Sequence, residues 1–223
     1  GSGAGRAFSY RNYGITTFGD LFTERQKLSL SVIASHTKRL AKAQRALSLA
    51  VGKLVDLANA ICRWEPKAEC PRNVFAAGRV KPSWDFAEGN PLSESSGSFQ
   101  VCVENLAQGI ESVGQLPRAA TCELAPAQAS PLPDASIDCW FTDPPYYDAY
   151  PYADLADSFL VWLRRSIDNV AFLKDPFDSN NSLSPKDDEI TQDESRHWHG
   201  QEKDKTFFEK HMGLAFSQGT RVL

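Results

Sequence analysis

The chain has 223 residues, 42% of them hydrophobic, which is enough to bury a sizeable core and too apolar for a disordered tail. Its net charge of −4 excludes a general polyanion binder, so any nucleic-acid contact must come from a local basic patch. No run approaches the ~20 apolar residues of a membrane span and no secretory pattern opens the sequence, so a cytoplasmic protein without membrane contact is expected.

The opening GSGAGRA, which has no methionine, reads as part of a flexible lead over residues 1–12, and the chain is expected to be a piece of a longer protein. Five scattered cysteines, Cys62, Cys70, Cys102, Cys122 and Cys139, form no C-x-x-C pair. Free, mostly buried thiols and no metal site are the expectation.

Residues 13–98 read as a helical segment followed by a long irregular connection. From Thr23 to Cys62 the apolar positions Leu28, Val32 and Leu40, then Leu47, Val51, Leu54, Leu57 and Ile61, recur at helical steps. Thr23 and Gln26 have the spacing of a capping box. Between Arg25 and Val55 there are seven basic residues and no acidic one, and Lys38, Lys42 and Arg45 are expected to share one helix face. That face is either a solvated surface or a contact for a nucleic-acid backbone. From Arg63 to Gly97 no period survives, and Trp84 and Phe86 are expected to anchor the connection to the core.

Residues 99–223 read as an α/β unit. Phe99–Val113 is helical, with Val103, Leu106 and Ile110 on one side. Two short β-forming runs follow, Ala119–Leu124 and Ile137–Thr142, then a helix over Tyr152–Arg165 with Leu155, Phe159, Trp162 and Leu163 on one face. Residues 174–205 are polar and read as a loop or disorder, with His197 and His199 as an ordinary exposed pair. Thr206–Gln218 resumes helix, with Phe207, Phe208, His211 and Leu214 as its buried stripe.

Between the second predicted strand and the following helix lies Asp143-Pro144-Pro145-Tyr146. In α/β sheets ligands sit at the carboxyl ends of strands. An exocyclic amine on a nucleobase is a poor nucleophile because its lone pair is delocalised into the ring. A catalyst can hold it by accepting hydrogen bonds from both N–H groups, which favours the tetrahedral nitrogen of the transition state. Asp143 and the carbonyl of Pro144 are two such acceptors. Pro144 and Pro145 stiffen the loop, and the Tyr146 ring offers a flipped-out base a surface to stack on.

On these residues the chain resembles the S-adenosylmethionine-dependent amino-methyltransferases of DNA, whose motif IV is DPPY after an apolar strand. The run LPDASIDCWFTDPPYYDAYPYADLADSFLVWLRR resembles more closely the adenine-specific DNA methylases that often carry a zinc ribbon. LFTERQKLSLSVI, CRWEPKAECPRNVFAAGRVKPSWDFAEGNPLS and FFEKHMGLAFSQGTRVL extend the likeness over about residues 13–223. The resemblance implies a partial class I methyltransferase domain, Rossmann-like and three-layered, with an N-terminal helical segment. It implies methyl transfer from S-adenosylmethionine to an amino group of DNA, N6 of adenine first. Asp143 to Tyr146 would be catalytic, Tyr147, Asp148, Tyr150 and Tyr152 would line the base pocket, and Asp143 would also touch the cofactor.

The family's Phe-x-Gly-x-Gly cofactor loop and its zinc ribbon are missing here. The isolated chain is therefore expected to fall short of full activity, with the rest of the cofactor site on an upstream half or a second subunit. Methylation of RNA or of protein amides, and a non-catalytic module binding nucleic acid or a partner, remain open on the residues alone.

Overall fold

The computed structural model describes residues 13–74, 86–115, 118, 120–147, 150–170, 173–176 and 178–223. Trp84 and Asp148 lie outside the described residues.

A 3-10 turn, Phe18–Leu21, leads into α1 (Glu24–Arg39). The Thr23 hydroxyl accepts from the Gln26 N–H at 3.2 Å and the Gln26 side chain accepts from the Thr23 N–H at 2.9 Å, the expected capping box. The buried stripe of α1 is Gln26, Leu30, Ile33, Ala34 and Thr37, whereas Leu28, Val32 and Leu40 are exposed. The sequence LSLSVIA places apolar residues on two faces, and packing against two other helices selects the face containing Leu30 and Ile33.

The helical pattern breaks at Leu40, whose backbone leaves the helical region, and α2 (Gln44–Leu57) starts after the bend. Lys38 therefore lies on α1, Lys42 in the bend and Arg45 on α2, not on one helix face as expected. Val51 and Leu54 of α2 are fully buried, with Ala50, Val55 and Ala58 beside them.

A small antiparallel pair, β1 (Arg63–Glu65) and β2 (Cys70–Arg72), follows, with Trp64 opposite Pro71. In the connection beyond it, Phe86 is half-buried. α3 (Phe99–Gly114) is capped by Ser98, whose hydroxyl accepts from the Val101 N–H at 3.3 Å. Its first half packs on the core through Phe99, Cys102, Val103 and Leu106, while Ile110 and Val113 are exposed. α4 (Tyr152–Ser166) completes the bundle: Leu155 and Trp162 are buried, and the Trp162 ring meets Phe22 edge-on at 5.5 Å.

The stretches 120–124 and 137–142 form no strand, and no parallel sheet or three-layer arrangement is present among the described residues. Among the described residues the architecture is mixed α and β: five α-helices with two small antiparallel sheets. β-formers make a strand only where a neighbouring strand takes their backbone hydrogen bonds, and at the start of the second stretch the end of α5 (Lys205–Val222) takes that place. The N–H groups of Ala135, Ser136 and Ile137 donate to the carbonyls of Arg221 and Val222 at 2.7–3.1 Å, serving the open end of that helix.

The polar stretch before α5 holds a hairpin of β3 (Asp193–Trp198) and β4 (Gln201–Lys203). Its turn is His199 (φ 46°) and Gly200 (φ 84°), both left-handed, as a two-residue hairpin turn of type I′ requires. Lys203 is 0% exposed; its ammonium donates to the carbonyls of Lys186 (2.7 Å) and Glu189 (2.9 Å) and lies over the Phe207 ring. α5 buries Phe207, Phe208, His211, Ala215, Gly219 and Val222, with Leu214 exposed. No helix among the described residues is long and apolar enough to cross a membrane.

Candidate functional site

Residues 130–147 run along α5 from its carboxyl end towards its amino end. Arg221 anchors the start, pairing with Asp134 and donating to the Ser130 carbonyl at 3.0 Å. Two residues earlier the Trp140 indole sits against Gly219, where a Cβ would overlap the ring. The same indole meets Phe216 edge-on at 5.9 Å. At the amino end Tyr147 stacks on Phe208 at 4.4 Å, and its hydroxyl donates to Glu209 Oε1 at 2.9 Å. Phe208, Phe216 and Gly219 recur at helical spacing on one face of α5, which carries most of the segment, while Arg221 reaches it from the end of the helix.

The motif sits inside this arrangement. Pro144, Pro145, Tyr146 and Tyr147 form one wall of a cleft of about 470 Å3, and Phe208, Glu209, Met212, Gly213 and Phe216 form the other. Tyr146 is 71% exposed, so its ring is a free surface at the cleft. Asp143, next to the loop wall in the chain, is exposed. The motif thus lies on an irregular segment held against a helix, in place of the strand end expected from the sequence.

Two further contacts hold the loop from behind. The Tyr147 carbonyl accepts from the Gln192 N–H at 2.9 Å, just before β3. The Glu189 carboxylate accepts from the Ala153 N–H at 2.9 Å in the first turn of α4, where a negative group is favoured by the helix dipole. Burial nevertheless pushes the Glu189 carboxyl above its ordinary pKa, with the Ala153 bond and Arg196 opposing. The hydrogen bond to Glu209 raises the Tyr147 phenol, helped by partial desolvation.

Other expected site residues are placed elsewhere. Tyr150 and Tyr152 pack on each other at 5.9 Å and do not line the cleft. Lys38 pairs with Asp168 at 3.7 Å, and Lys42 is exposed at the bend beside exposed Arg45. His197 and His199 flank Trp198, whose ring N–H donates to Asp188 at 2.9 Å. Cys62, Cys70 and Cys102 are buried, while Cys122 and Cys139 are exposed, all as free thiols. Among the described residues no group of three or more His, Cys, Asp or Glu is gathered that could hold a metal ion.

The helix wall of the cleft was not anticipated. Glu209, Met212, Gly213 and Phe216 read in the sequence as ordinary residues of an amphipathic helix. The available signal was a pair of small residues, Gly213 and Gly219, on the same helix, where glycine is otherwise unfavourable. Compared with protein families, curated proteins and solved structures, the chain matches none.

Proposed function

We propose that this chain carries the amine-holding part of an S-adenosylmethionine-dependent methyltransferase acting on an exocyclic amino group of DNA, N6 of adenine first. The observation that carries this reading is that Pro144, Pro145 and Tyr146 of the motif form, with Tyr147, one wall of an open, ring-lined cleft, next in the chain to the exposed Asp143 carboxylate. Asp143 and the Pro144 carbonyl accept from the two N–H groups of the amine, and Tyr146 stacks on its ring. Pro144 and Pro145 keep the acceptors from relaxing. A sulfonium cation suits a carboxylate, and Asp143 would be the acceptor this chain offers it.

When bound, that cofactor supplies an electrophilic methyl carbon. Asp143 and the Pro144 carbonyl would aim the amine nitrogen at that carbon, and the amine would give up one proton to water. Lys38, Lys42 and Arg45 would contact DNA phosphates around the α1–α2 bend. In the finer reading of the fold, 120–124 and 137–142 are strands of a class I methyltransferase sheet whose parallel neighbours come from outside the described residues. Those neighbours belong to another part of the protein or to a second subunit. Phe141, 92% exposed, and the exposed Leu124 support this.

The test is transfer of tritiated methyl groups from S-adenosylmethionine to DNA, to RNA and to no acceptor, with Asp143→Ala alongside. Loss of one transition-state acceptor is expected to lower the rate by about 10²–10³. Equal transfer by the variant would falsify the catalytic assignment. The exposure of Asp143 on an irregular segment favours a second reading, a binding module. In that case the chain transfers nothing and D143A weakens nucleic-acid binding instead.

A further inference from the structure

The two walls of the cleft come from segments 62 residues apart at the Tyr147–Glu209 contact, and only one wall carries the motif. Three features of the other wall point to the same ligand. Gly213 lines the cleft without a side chain, and a Cβ there would meet nothing within 4 Å, so the helix leaves room at that position. Phe216, braced by Trp140, keeps 45% of its surface exposed and gives the cleft a second aromatic face besides Tyr146. Among the described residues Glu209 uses Oε1 for Tyr147 and for Lys205 (3.6 Å) and takes no partner at Oε2, an acceptor at the rim. Among the described residues no Lys or Arg lines the cleft, so a phosphate would meet carboxylate and apolar surface there.

We propose that α5 supplies the specificity half of the site. The cleft takes a planar nitrogen heterocycle bearing an amino group, its ring against Tyr146 and Phe216 over Gly213. Glu209 Oε2 accepts from one of the two amino N–H groups, sharing it with the Pro144 carbonyl in a three-centre hydrogen bond. This rests on the reading of Tyr146 as a ring platform. Glu209 distinguishes amino-bearing rings from those without the donor, because a carboxylate that loses its water and gains no partner disfavours the bare ring.

The probe is a single-stranded DNA oligonucleotide carrying one 2-aminopurine, titrated with the chain at low ionic strength. The same oligonucleotide with unsubstituted purine serves as competitor. Saturable fluorescence quenching is expected, with the purine oligonucleotide competing about tenfold less well. Gly213→Leu fills the cleft and abolishes quenching while circular dichroism retains the helix, since Leu is the better helix former. Phe216→Ala weakens binding by about tenfold through loss of stacking.

Glu209→Ala removes the preference for the amino group. Tyr147→Phe, which breaks the same hydrogen bond and keeps the carboxylate, leaves that preference in place. The proposal is overturned by absence of saturable quenching, by full binding to folded G213L, by an unchanged preference in E209A, or by Y147F behaving like E209A. Methyl transfer is read separately through D143A: failure there with ring discrimination intact removes the catalytic reading alone.

Discussion

Trp140 illustrates what a single position decides. Its indole occupies the space where any side chain at 219 would stand, so the approach of the motif segment to α5 depends on the missing Cβ of Gly219. Gly219→Ala would gain helix propensity, about 1 kcal/mol, yet must displace the ring. Overpacking typically costs about 1–3 kcal/mol, so a net loss is expected. The readouts are the denaturant midpoint and a changed tryptophan emission; an unshifted emission with raised stability would show that the ring does not sit on the glycine. Gly213 on the same helix has open space instead, and alanine there is expected to be neutral or stabilising. The contrast between two glycines six residues apart separates close approach from vacancy.

At the scale of elements, the hairpin before α5 is the support of the motif loop. Its turn needs two left-handed residues, and Gly200 at φ 84° has no steric neighbour within 4 Å. Gly200→Ala therefore tests backbone conformation alone and should cost about 1–2 kcal/mol of local stability. Asparagine, which tolerates that conformation, should cost little. Because Gln192 holds the Tyr147 carbonyl, faster amide exchange is expected in residues 189–203 in the alanine variant, with the Gln192 amide itself exchanging sooner. Unchanged exchange at Gln192 would mean that loop and hairpin are uncoupled.

Composition misleads in this stretch for a physical reason. The polar side chains of Asp188, Arg196 and Lys203 find partners, and no alternation of apolar residues records it. His199-Gly200 is its one legible signal. α2 shows the opposite case: Val51 and Leu54 lie where the helical period puts them. α1 lies between the two, since its sequence fits two faces and only α2 and α4 decide. The motif itself was legible from Asp143 to Tyr146. Its helix wall was not, because Glu209 and Gly213 acquire meaning only through contacts across the fold.

For the whole molecule, buried His211 and half-buried Glu189 tilt the pH dependence in opposite directions. His211 is buried between Trp198 and Phe207 with neither ring nitrogen partnered among the described residues. Burial lowers its pKa, Lys210 and Lys203 lower it further, and Asp188 opposes. Its folded pKa lies below its unfolded one, so the stability it contributes is present above pH ~6.5 and is lost as pH falls. Glu189, held above its ordinary value, acts the other way: its contribution is full at low pH and is lost as pH rises through its folded pKa. His211→Phe keeps the ring packing and removes the proton site. The urea midpoint of this variant should fall less than that of the wild type between pH 6.5 and 5, and parallel curves would refute the assignment.

The laying of the motif segment along α5 also orders events in time. Tyr147 meets Glu209 62 residues later, and Asp134 meets Arg221 87 residues later. At synthesis rates of about 5–20 residues per second, the motif waits roughly 3–12 s before the helix that makes half of its cleft has been translated. The α1–α2 pair can close from local contacts well before that, whereas residues 130–147, with Trp140, Phe141 and Tyr146, remain uncovered. A nascent chain would thus carry an aromatic, unsheltered motif for seconds, an interval in which a chaperone, or misassembly with another chain, competes with α5 for the same residues.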